Sequence, residues 1–328
     1  MSEVDFQFVE TNNINTRLAI IGDGPLVIFC HGWPESWYSY RHQLPVVANA
    51  GYKAVAYDVR GYGESDKPHP IEEYTMKKLT ADVIGIVKAL GYEEAITIGH
   101  DWGAPIAMNT AVLYPKVIKA TGTMSVPFTG RGPMPTLDLW KEIYKDKFFY
   151  QLHFQKEGIA EAEFEKDMRK ALFIVYTSGD GRGMKEGLRR SSEGLNQKKS
   201  ADSTYFEGMV EFEDFPSWLS EEDLDYYTSQ FEISGMRGPM NRYRAQNIDW
   251  HELPELDTKL KQPAFFITGS LDPVNFFIQG ENKLIDRVEK NYENLLISKE
   301  LENIGHWTQQ EAPSEVSKII LDFLDKVS

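Results

Sequence analysis

The chain of 328 residues is long enough to bury a large core, either as one domain or as a core with a smaller inserted domain. Its formal net charge of −15 argues against binding to nucleic acid or to an anionic membrane, because both call for basic surface patches. The single cysteine, Cys30, excludes a disulfide within the chain, and its apolar neighbours predict a buried, unreactive thiol.

Nothing in the sequence has the pattern of a targeting or membrane segment. The first ten residues, MSEVDFQFVE, are acidic and lack the basic and apolar regions of a secretory signal. Apolar runs such as 264–267 are far shorter than the roughly 20 residues that span a bilayer. We therefore expect a soluble, cytoplasmic protein with neither nucleic acid nor a membrane as a partner. The oligomeric state stays open, and a homo-oligomer is compatible with the sequence.

Short apolar strands alternate with amphipathic helices in the first part of the chain. The predicted strands are 26–30, 54–57, 95–98 and 120–124, and the predicted helices among them are 76–90 and 102–114. This alternation is typical of an α/β fold with a doubly wound, mostly parallel sheet.

The alternation breaks near Pro127. Residues from about 126 to 250 are rich in glycine, proline, charged and aromatic residues, with helical stretches between loop signals at 130–135, 178–183 and 196–203. The segment 178–183, SGDGRG, lacks the GK[ST] ending of a phosphate-binding loop, so it is interpreted as a mobile surface loop.

After this insertion the first pattern returns. Strands are predicted at 264–268 and 294–298, and a final amphipathic helix at about 314–325. The predicted domains are a first core part at 1–126, a helical cap at 127–250 and a second core part at 251–328.

The segment GHDWGA at 99–104 has the layout of a nucleophile elbow, with Asp101 where most hydrolases carry serine. Gly99 and Gly103 suit a sharp strand-to-helix turn that exposes the central side chain at the top of a parallel sheet. A carboxylate in that place indicates ester formation at carbon. The spacing alone is weak evidence, because an aspartate that N-caps the following helix has the same pattern.

Two further residues follow predicted strands. Asp272 lies in GSLDPV directly after the strand at 264–268, where its alternative role is that of a turn residue before Pro273. His306 lies in GHWTQ, between the last predicted strand and the last predicted helix. Loops at the carboxyl ends of parallel strands meet at one edge, so both residues can face Asp101. The order nucleophile, acid, histidine is that of the α/β-hydrolases.

Such a site also needs backbone N–H donors for an oxyanion, one from the residue after the nucleophile and one from a loop after an early strand. Here these residues are Trp102 and Trp33, the latter in HGWPES after the strand that ends at Cys30. Gly32 and Pro34 suit a fixed turn at this place, although a purely structural loop would also use them.

Longer motifs extend this pattern over nearly the whole chain. They are HGWPES (31–36), DVRGYGESDKP (58–68), GHDWGA (99–104), YQLHFQKEGIAEAE (150–163), GPMNRYR (238–244), GSLDPV (269–274) and GHWTQQEAPSEV (305–316). Together they resemble the soluble epoxide hydrolases of the α/β-hydrolase superfamily. The resemblance implies that Asp101 is the nucleophile, that His306 is the base and that Asp272 orients it.

The resemblance also implies a cap that carries two tyrosines, Tyr150 and Tyr243. An alkoxide leaving group needs a proton donor, and two phenols with an ordinary pKa of about 10 can bind and protonate it. Without the family pattern, each tyrosine would be interpreted as packing in an aromatic-rich cap. The sequence departs from the family at His153, where the vertebrate enzymes have a tyrosine, and in the segment 178–204, which does not align; both leave substrate shape open.

The implied reaction opens a small apolar epoxide with the Asp101 carboxylate and then hydrolyses the ester with water activated by His306. The oxyanion of the second step would rest on the N–H groups of Trp33 and Trp102. This chemistry needs no cofactor and no metal.

Five other functions agree less well with the sequence. A haloalkane dehalogenase shares the fold and the aspartate nucleophile, but a halide needs N–H donors and no proton, so the two tyrosines favour the epoxide. A fluoroacetate dehalogenase would place arginines where this chain has Trp-Gly-Ala at 102–104. A serine esterase would carry GxSxG, and a metallohydrolase would carry a second histidine after the pair at 251–252. A non-catalytic binding protein would not need the nucleophile, acid and histidine together.

Overall fold

The computed structural model describes residues 4–195, 199–277, 285 and 288–328. Within these ranges one sheet contains eight strands, in the order β1-β2-β4-β3-β5-β6-β7-β8. The strands are β1 Asp5–Thr11, β2 Ile14–Ile21, β3 Leu26–Cys30, β4 Lys53–Tyr57, β5 Ala95–His100, β6 Ile118–Met124, β7 Ala264–Gly269 and β8 Leu295–Leu301.

Helices flank the sheet and fill the long connection between β6 and β7. Those around the sheet are α1 Gln43–Asn49, α2 Met76–Ala89 and α3 Gly103–Leu113. Those in the connection are α4 Thr136–Ile143, α5 Tyr150–His153, α6 Ile159–Glu165, α7 Met168–Gly179, α8 Gly181–Ser192, α9 Glu221–Ser234, α10 Arg237–Arg244 and α11 Gln246–Glu252. After β8 follow α12 Thr308–Glu311 and α13 Pro313–Val327.

The sheet is doubly wound. Strands β3 to β8 pair in parallel, whereas β1 and β2 pair antiparallel at one edge. Apolar residues of α2 and α3 pack on one face, and those of α1 and α13 pack on the other. Strands β3, β5 and β7 are buried throughout, which explains why their sequences are mostly apolar.

The predicted α/β-hydrolase architecture is confirmed in its strands and helices. Each of the six predicted strands and of the three predicted helices around the sheet is present, with ends within three residues of the prediction. The hairpin of β1 and β2 was not predicted, because polar residues interrupt both strands. Asn12 and Asn13, at φ 40° and 64°, form its turn and were the available signal.

The prediction of a surface loop at 178–183 is wrong. Helix α7 ends at Gly179, and the Asp180 side chain caps α8 by accepting a hydrogen bond from the N–H of Gly183 at 2.7 Å. Asp180 is buried, and a Cβ at Gly181 would overlap the carbonyl oxygen of Asn303. The glycines therefore allow close packing of a helix junction and do not indicate mobility.

The other local predictions have mixed outcomes. Residues 130–135 form a non-helical connection as predicted, and so do residues 199–203, whereas 196–198 lie outside the described residues. Cys30 is buried, and burial raises the pKa of its thiol to about 12. In the part of the chain that the structure describes, no helix is both long and apolar enough to cross a membrane.

Candidate active site

Asp101 lies in the turn between β5 and α3 with a left-handed backbone, φ 50°. The turn needs glycine at both flanking positions: a Cβ at Gly99 would overlap the Gly103 carbonyl oxygen, and a Cβ at Gly103 would overlap that of Cys30. Because strand and helix hold the turn from both sides, they maintain the strained conformation that presents the carboxylate. The predicted nucleophile elbow therefore has the expected geometry.

The predicted oxyanion loop reaches this carboxylate. The N–H of Trp33 donates a hydrogen bond to Asp101 Oδ1 at 2.7 Å, and a Cβ at Gly32 would meet the Asp101 side chain. Trp102 is the N-cap residue of α3, so the interpretation of Asp101 as a helix N-cap is wrong. The loop thus supplies one backbone donor to Asp101, and the second candidate donor directly follows the nucleophile in the chain.

His306 lies between two carboxylates. Its Nδ1 is 3.0 Å from Asp272 Oδ1, and its Nε2 is 3.3 Å from Asp101 Oδ2. Burial lowers the pKa of His306, but the charges and hydrogen bonds of Asp272 and Asp101 outweigh it and raise this pKa well above 6.5. The two aspartates and the histidine therefore form one connected group.

Asp272 is fully buried, and it contacts both His306 and the turn that follows it in the chain. Its Oδ1 accepts hydrogen bonds from His306 and, at 2.9 Å, from the N–H of Val274 at the start of the short 3-10 helix Pro273–Phe276. The same oxygen therefore caps the short 3-10 helix and contacts His306, and the turn orients the carboxylate toward the imidazole.

Buried groups below the site hold the loops of Asp101 and His306 together. His100 Nε2 lies 2.6 Å from the His306 carbonyl oxygen, and its Nδ1 lies 2.8 Å from Glu35 Oε2. Glu35 also accepts a hydrogen bond from the N–H of Gly32 at 2.7 Å. Although burial raises the pKa of Glu35, His100, together with His31 and the Gly32 N–H, outweighs it and lowers this pKa to about 2. We did not predict Glu35 and His100 as site residues, although both lie within the motifs HGWPES and GHDWGA.

The His306 loop is also fastened to the junction of α7 and α8. The N–H of His306 donates to the Gly179 carbonyl at 2.8 Å. The Glu311 carboxylate accepts hydrogen bonds from three backbone N–H groups, those of Gly181, Gly305 and Trp307. The segment 178–183, which the sequence analysis interpreted as a mobile surface loop, therefore packs against the loop that carries His306.

The rings of the two predicted tyrosines contact each other although they are far apart in the sequence. Tyr150 begins α5 and Tyr243 lies in α10, and their rings are 5.7 Å apart at 77°. Both rings also contact Trp33. Burial, together with the Asp101 charge, raises the pKa of both phenols above 10, so they are neutral at physiological pH.

A cavity of about 440 Å³ opens between these groups. Its lining is largely apolar and includes Asp101, Trp102, Pro105, Val126, Trp140, Tyr150, Gln151, Val274 and Phe277. A cavity of this size and character suits a small organic molecule. Among the described residues no group of three histidine, cysteine or acidic side chains could hold a metal ion.

Known proteins share this fold and this sequence. The family described as alpha/beta hydrolase fold matches residues 25–313. Epoxide hydrolase A of Mycobacterium tuberculosis is 35% identical over 97% of this chain and 96% of its own length. The bifunctional epoxide hydrolase 2 of Rattus norvegicus is 34% identical over 95% of this chain, which corresponds to 53% of that longer protein.

Solved structures agree with these relatives. Epoxide hydrolase A from Mycobacterium thermoresistibile superimposes with a TM-score of 0.90 at 34% identity, covering 99% of both chains. An epoxide hydrolase from an endophytic Streptomyces gives a TM-score of 0.90 at 39% identity, covering 98% of this chain and 95% of that one. The chain belongs to the epoxide hydrolases of the α/β-hydrolase superfamily, and it is a hydrolase that acts on epoxides.

Proposed function

We propose that the enzyme converts a small apolar epoxide to a vicinal diol through a covalent ester of Asp101. The observation that carries this mechanism is the placement of the Asp101 carboxylate between the Trp33 N–H and His306, in a cavity that Tyr150 also lines. The proposed nucleophile, which contacts its base, and a neutral proton donor therefore line the same largely apolar cavity.

In the first step a carboxylate oxygen of Asp101 attacks an epoxide carbon, and the carbon–oxygen bond of the ring breaks. The oxygen leaves as an alkoxide and takes a proton from a phenol, Tyr150 or Tyr243. Burial makes both phenols weaker acids than free tyrosine, but an alkoxide is a far stronger base than a phenolate and still takes the proton. The step leaves an ester and a phenolate.

Ester formation itself prepares His306 for the second step. In the resting enzyme two carboxylates raise the pKa of His306, which favours the protonated imidazole. The ester removes the charge of Asp101, which lowers this pKa, and the proton of His306 passes to the phenolate. The neutral imidazole can then act as a base.

In the second step water adds to the carbonyl carbon of the ester while His306 takes one of its protons. Asp272 holds the proton on Nδ1 and stabilises the imidazolium that forms. The oxyanion rests on the N–H groups of Trp33 and Trp102. Its collapse breaks the ester bond, and the second proton of the water passes to the diol oxygen that leaves, which frees the diol and the Asp101 carboxylate. The phenol, His306 and Asp101 are then in their starting protonation states.

We further propose that the helices within 127–250 act as a cap between a first core part, 1–126, and a second, 251–328. This proposal is supported by the position of Tyr150 and Tyr243 on helices of the connection between β6 and β7. The cytoplasmic location and a homo-oligomeric state stay predictions.

The test compares two leaving groups on matched substrates. Purified protein should convert a terminal alkyl or aryl epoxide to its diol without added metal or nucleotide, and a chelator should not slow it. A 1-haloalkane of the same size should release little halide, because phenols supply a proton that a halide does not need. Halide release faster than diol formation would overturn the epoxide mechanism and favour a dehalogenase.

A further inference from the structure

Two glutamine side chains form a chain of hydrogen bonds that ends on the hydroxyl of Tyr150. Gln151 Nε2 lies 3.1 Å from the Tyr150 hydroxyl oxygen, and Gln246 Nε2 lies 3.0 Å from Gln151 Oε1. Both glutamines are buried, with 7% and 6% of their surface exposed. Buried amides that satisfy one another in this way have few other orientations open to them.

The hydrogen-bond partners decide which way each amide points, since the nitrogen and oxygen of a glutamine have nearly the same shape. One atom of the Gln246 amide lies 3.0 Å from the Tyr243 carbonyl oxygen, which can only accept, so that atom is the nitrogen. The same nitrogen faces Gln151, whose facing atom must then be the oxygen. The nitrogen of Gln151 is therefore the atom that faces Tyr150.

This direction determines the role of the Tyr150 hydroxyl. Its oxygen accepts a hydrogen bond from Gln151, so its own proton remains available to the cavity that Asp101, Tyr150 and Gln151 line. A donor on the phenol oxygen stabilises the phenolate more than the neutral phenol. Burial and the Asp101 charge raise the pKa of Tyr150, and hydrogen bonds with Gln151 and Tyr243 act against them.

We propose that Gln151, held in one orientation by Gln246, is a positioning residue that directs the Tyr150 proton into the cavity and stabilises the phenolate left after the epoxide opens. The inference rests on the proposed role of Tyr150 as a proton donor. It also distinguishes the two phenols, because the amide chain ends on Tyr150 and stabilises the phenolate of that residue.

Two substitutions of Gln151 distinguish the effect of its hydrogen bond to Tyr150 from the effect of its packing. Gln151→Met keeps the approximate length but removes the donor, and ester formation in a single turnover should slow by about 10-fold. Gln151→Glu keeps the shape, but its carboxylate accepts a hydrogen bond from the Tyr150 hydroxyl, which turns that proton away from the cavity. Ester formation near pH 8 should therefore slow by roughly 100-fold. Protonation of this carboxylate restores a donor, so the rate of Gln151→Glu relative to wild type should rise as pH falls. A loss in Gln151→Glu that is independent of pH would overturn the proposal.

A matched control comes from Gln155, a neighbouring amide whose side chain donates to the backbone carbonyls of Gln151 and Tyr243 and not to a phenol. Gln155→Met should change ester formation by less than about 3-fold, since it leaves the Tyr150 hydroxyl with its donor. A loss equal to that of Gln151→Met would show that any amide in this region matters only for packing, and it would overturn the proposal.

The decisive comparison is made in a Tyr150→Phe background. With the hydroxyl gone, the further change Gln151→Met should cost less than about 2-fold in ester formation, because its effect passes through that hydroxyl. The same loss in both backgrounds would mean that Gln151 acts on the substrate or the fold, and the proposal would fail. Full activity of Tyr150→Phe alone would instead contradict the proposed proton donor, so the two failures are distinguishable.

Discussion

The two sides of the cavity hold their reactive groups by different means. On the sheet side, Asp101, Asp272 and His306 are ionisable groups that backbone N–H donors and one another hold in place. On the helical side, Tyr150 and Tyr243 are neutral phenols packed among aromatic rings. Charge is thus kept where the fold supplies hydrogen bonds, and the protonated acids are kept where burial opposes ionisation.

This difference divides the proposed mechanism between the two sides. In that mechanism the ester forms and is hydrolysed on the sheet side, whereas a phenol on the helical side supplies the proton that ring opening requires. The sides are joined where the His306 N–H donates to Gly179 and where Glu311 accepts from Gly181. Substitutions on the two sides should therefore affect different steps, and substitutions at the junction should affect stability first.

The largest expected effect is on the sheet side. His306→Gln should reduce turnover by about 10³-fold or more, because the variant lacks the base that contacts Asp101, while ester formation should continue. A burst of one ester per active site, followed by slow decay, is the expected time course, and mass spectrometry of the quenched protein should find the adduct on Asp101. Turnover loss with neither burst nor adduct would contradict the two-step scheme.

The next effect is on the helical side. Tyr150→Phe and Tyr243→Phe should each slow ester formation by roughly 10- to 100-fold, as expected for the loss of a hydrogen bond worth about 1.5–3 kcal/mol to a charged oxygen. Decay of a preformed ester should be nearly unchanged. Rapid-quench kinetics on a terminal epoxide separates the two rates. If the double variant kept full activity, neither tyrosine would belong to the mechanism.

The third effect is expected at the junction and concerns stability instead of rate. Burial and the charge of Asp180 raise the pKa of Glu311 to about 7, although the hydrogen bonds from the N–H groups of Gly181, Gly305 and Trp307 act against them. The folded state then keeps a proton that the unfolded state has lost between about pH 4.5 and 7, so this group lowers stability as pH rises, by up to about 3 kcal/mol.

Thermal unfolding at pH 5.5 and 8.5 measures this contribution. The fall in Tm with rising pH should be smaller in Glu311→Gln than in wild type, because the variant cannot titrate. Glu315→Gln, which changes a half-exposed residue on α13, should keep the wild-type pH dependence and serves as the control. An unchanged slope in Glu311→Gln would show that this carboxyl does not titrate in that range.

Local physical rules made much of the sheet side predictable. Continuous apolar runs indicated the buried strands, and the glycines at 99 and 103 indicated the turn that carries Asp101, because any Cβ there would overlap backbone. Parallel strands end at one edge, so the loops of Asp272 and His306 could be expected to meet Asp101. The tyrosines came from the family resemblance, since no spacing rule connects residues 150 and 243.

The sequence by itself determined the strands and helices around the sheet, the strained turn and the order of the nucleophile, acid and histidine, because each depends on neighbouring residues or on the periodicity of a single element. Only the tertiary structure decided that SGDGRG is a packed helix junction, that Glu35 and His100 support the site and that Gln151 points its nitrogen at Tyr150. These features arise from contacts between distant segments, where the available partner determines what a glycine, a carboxylate or an amide does.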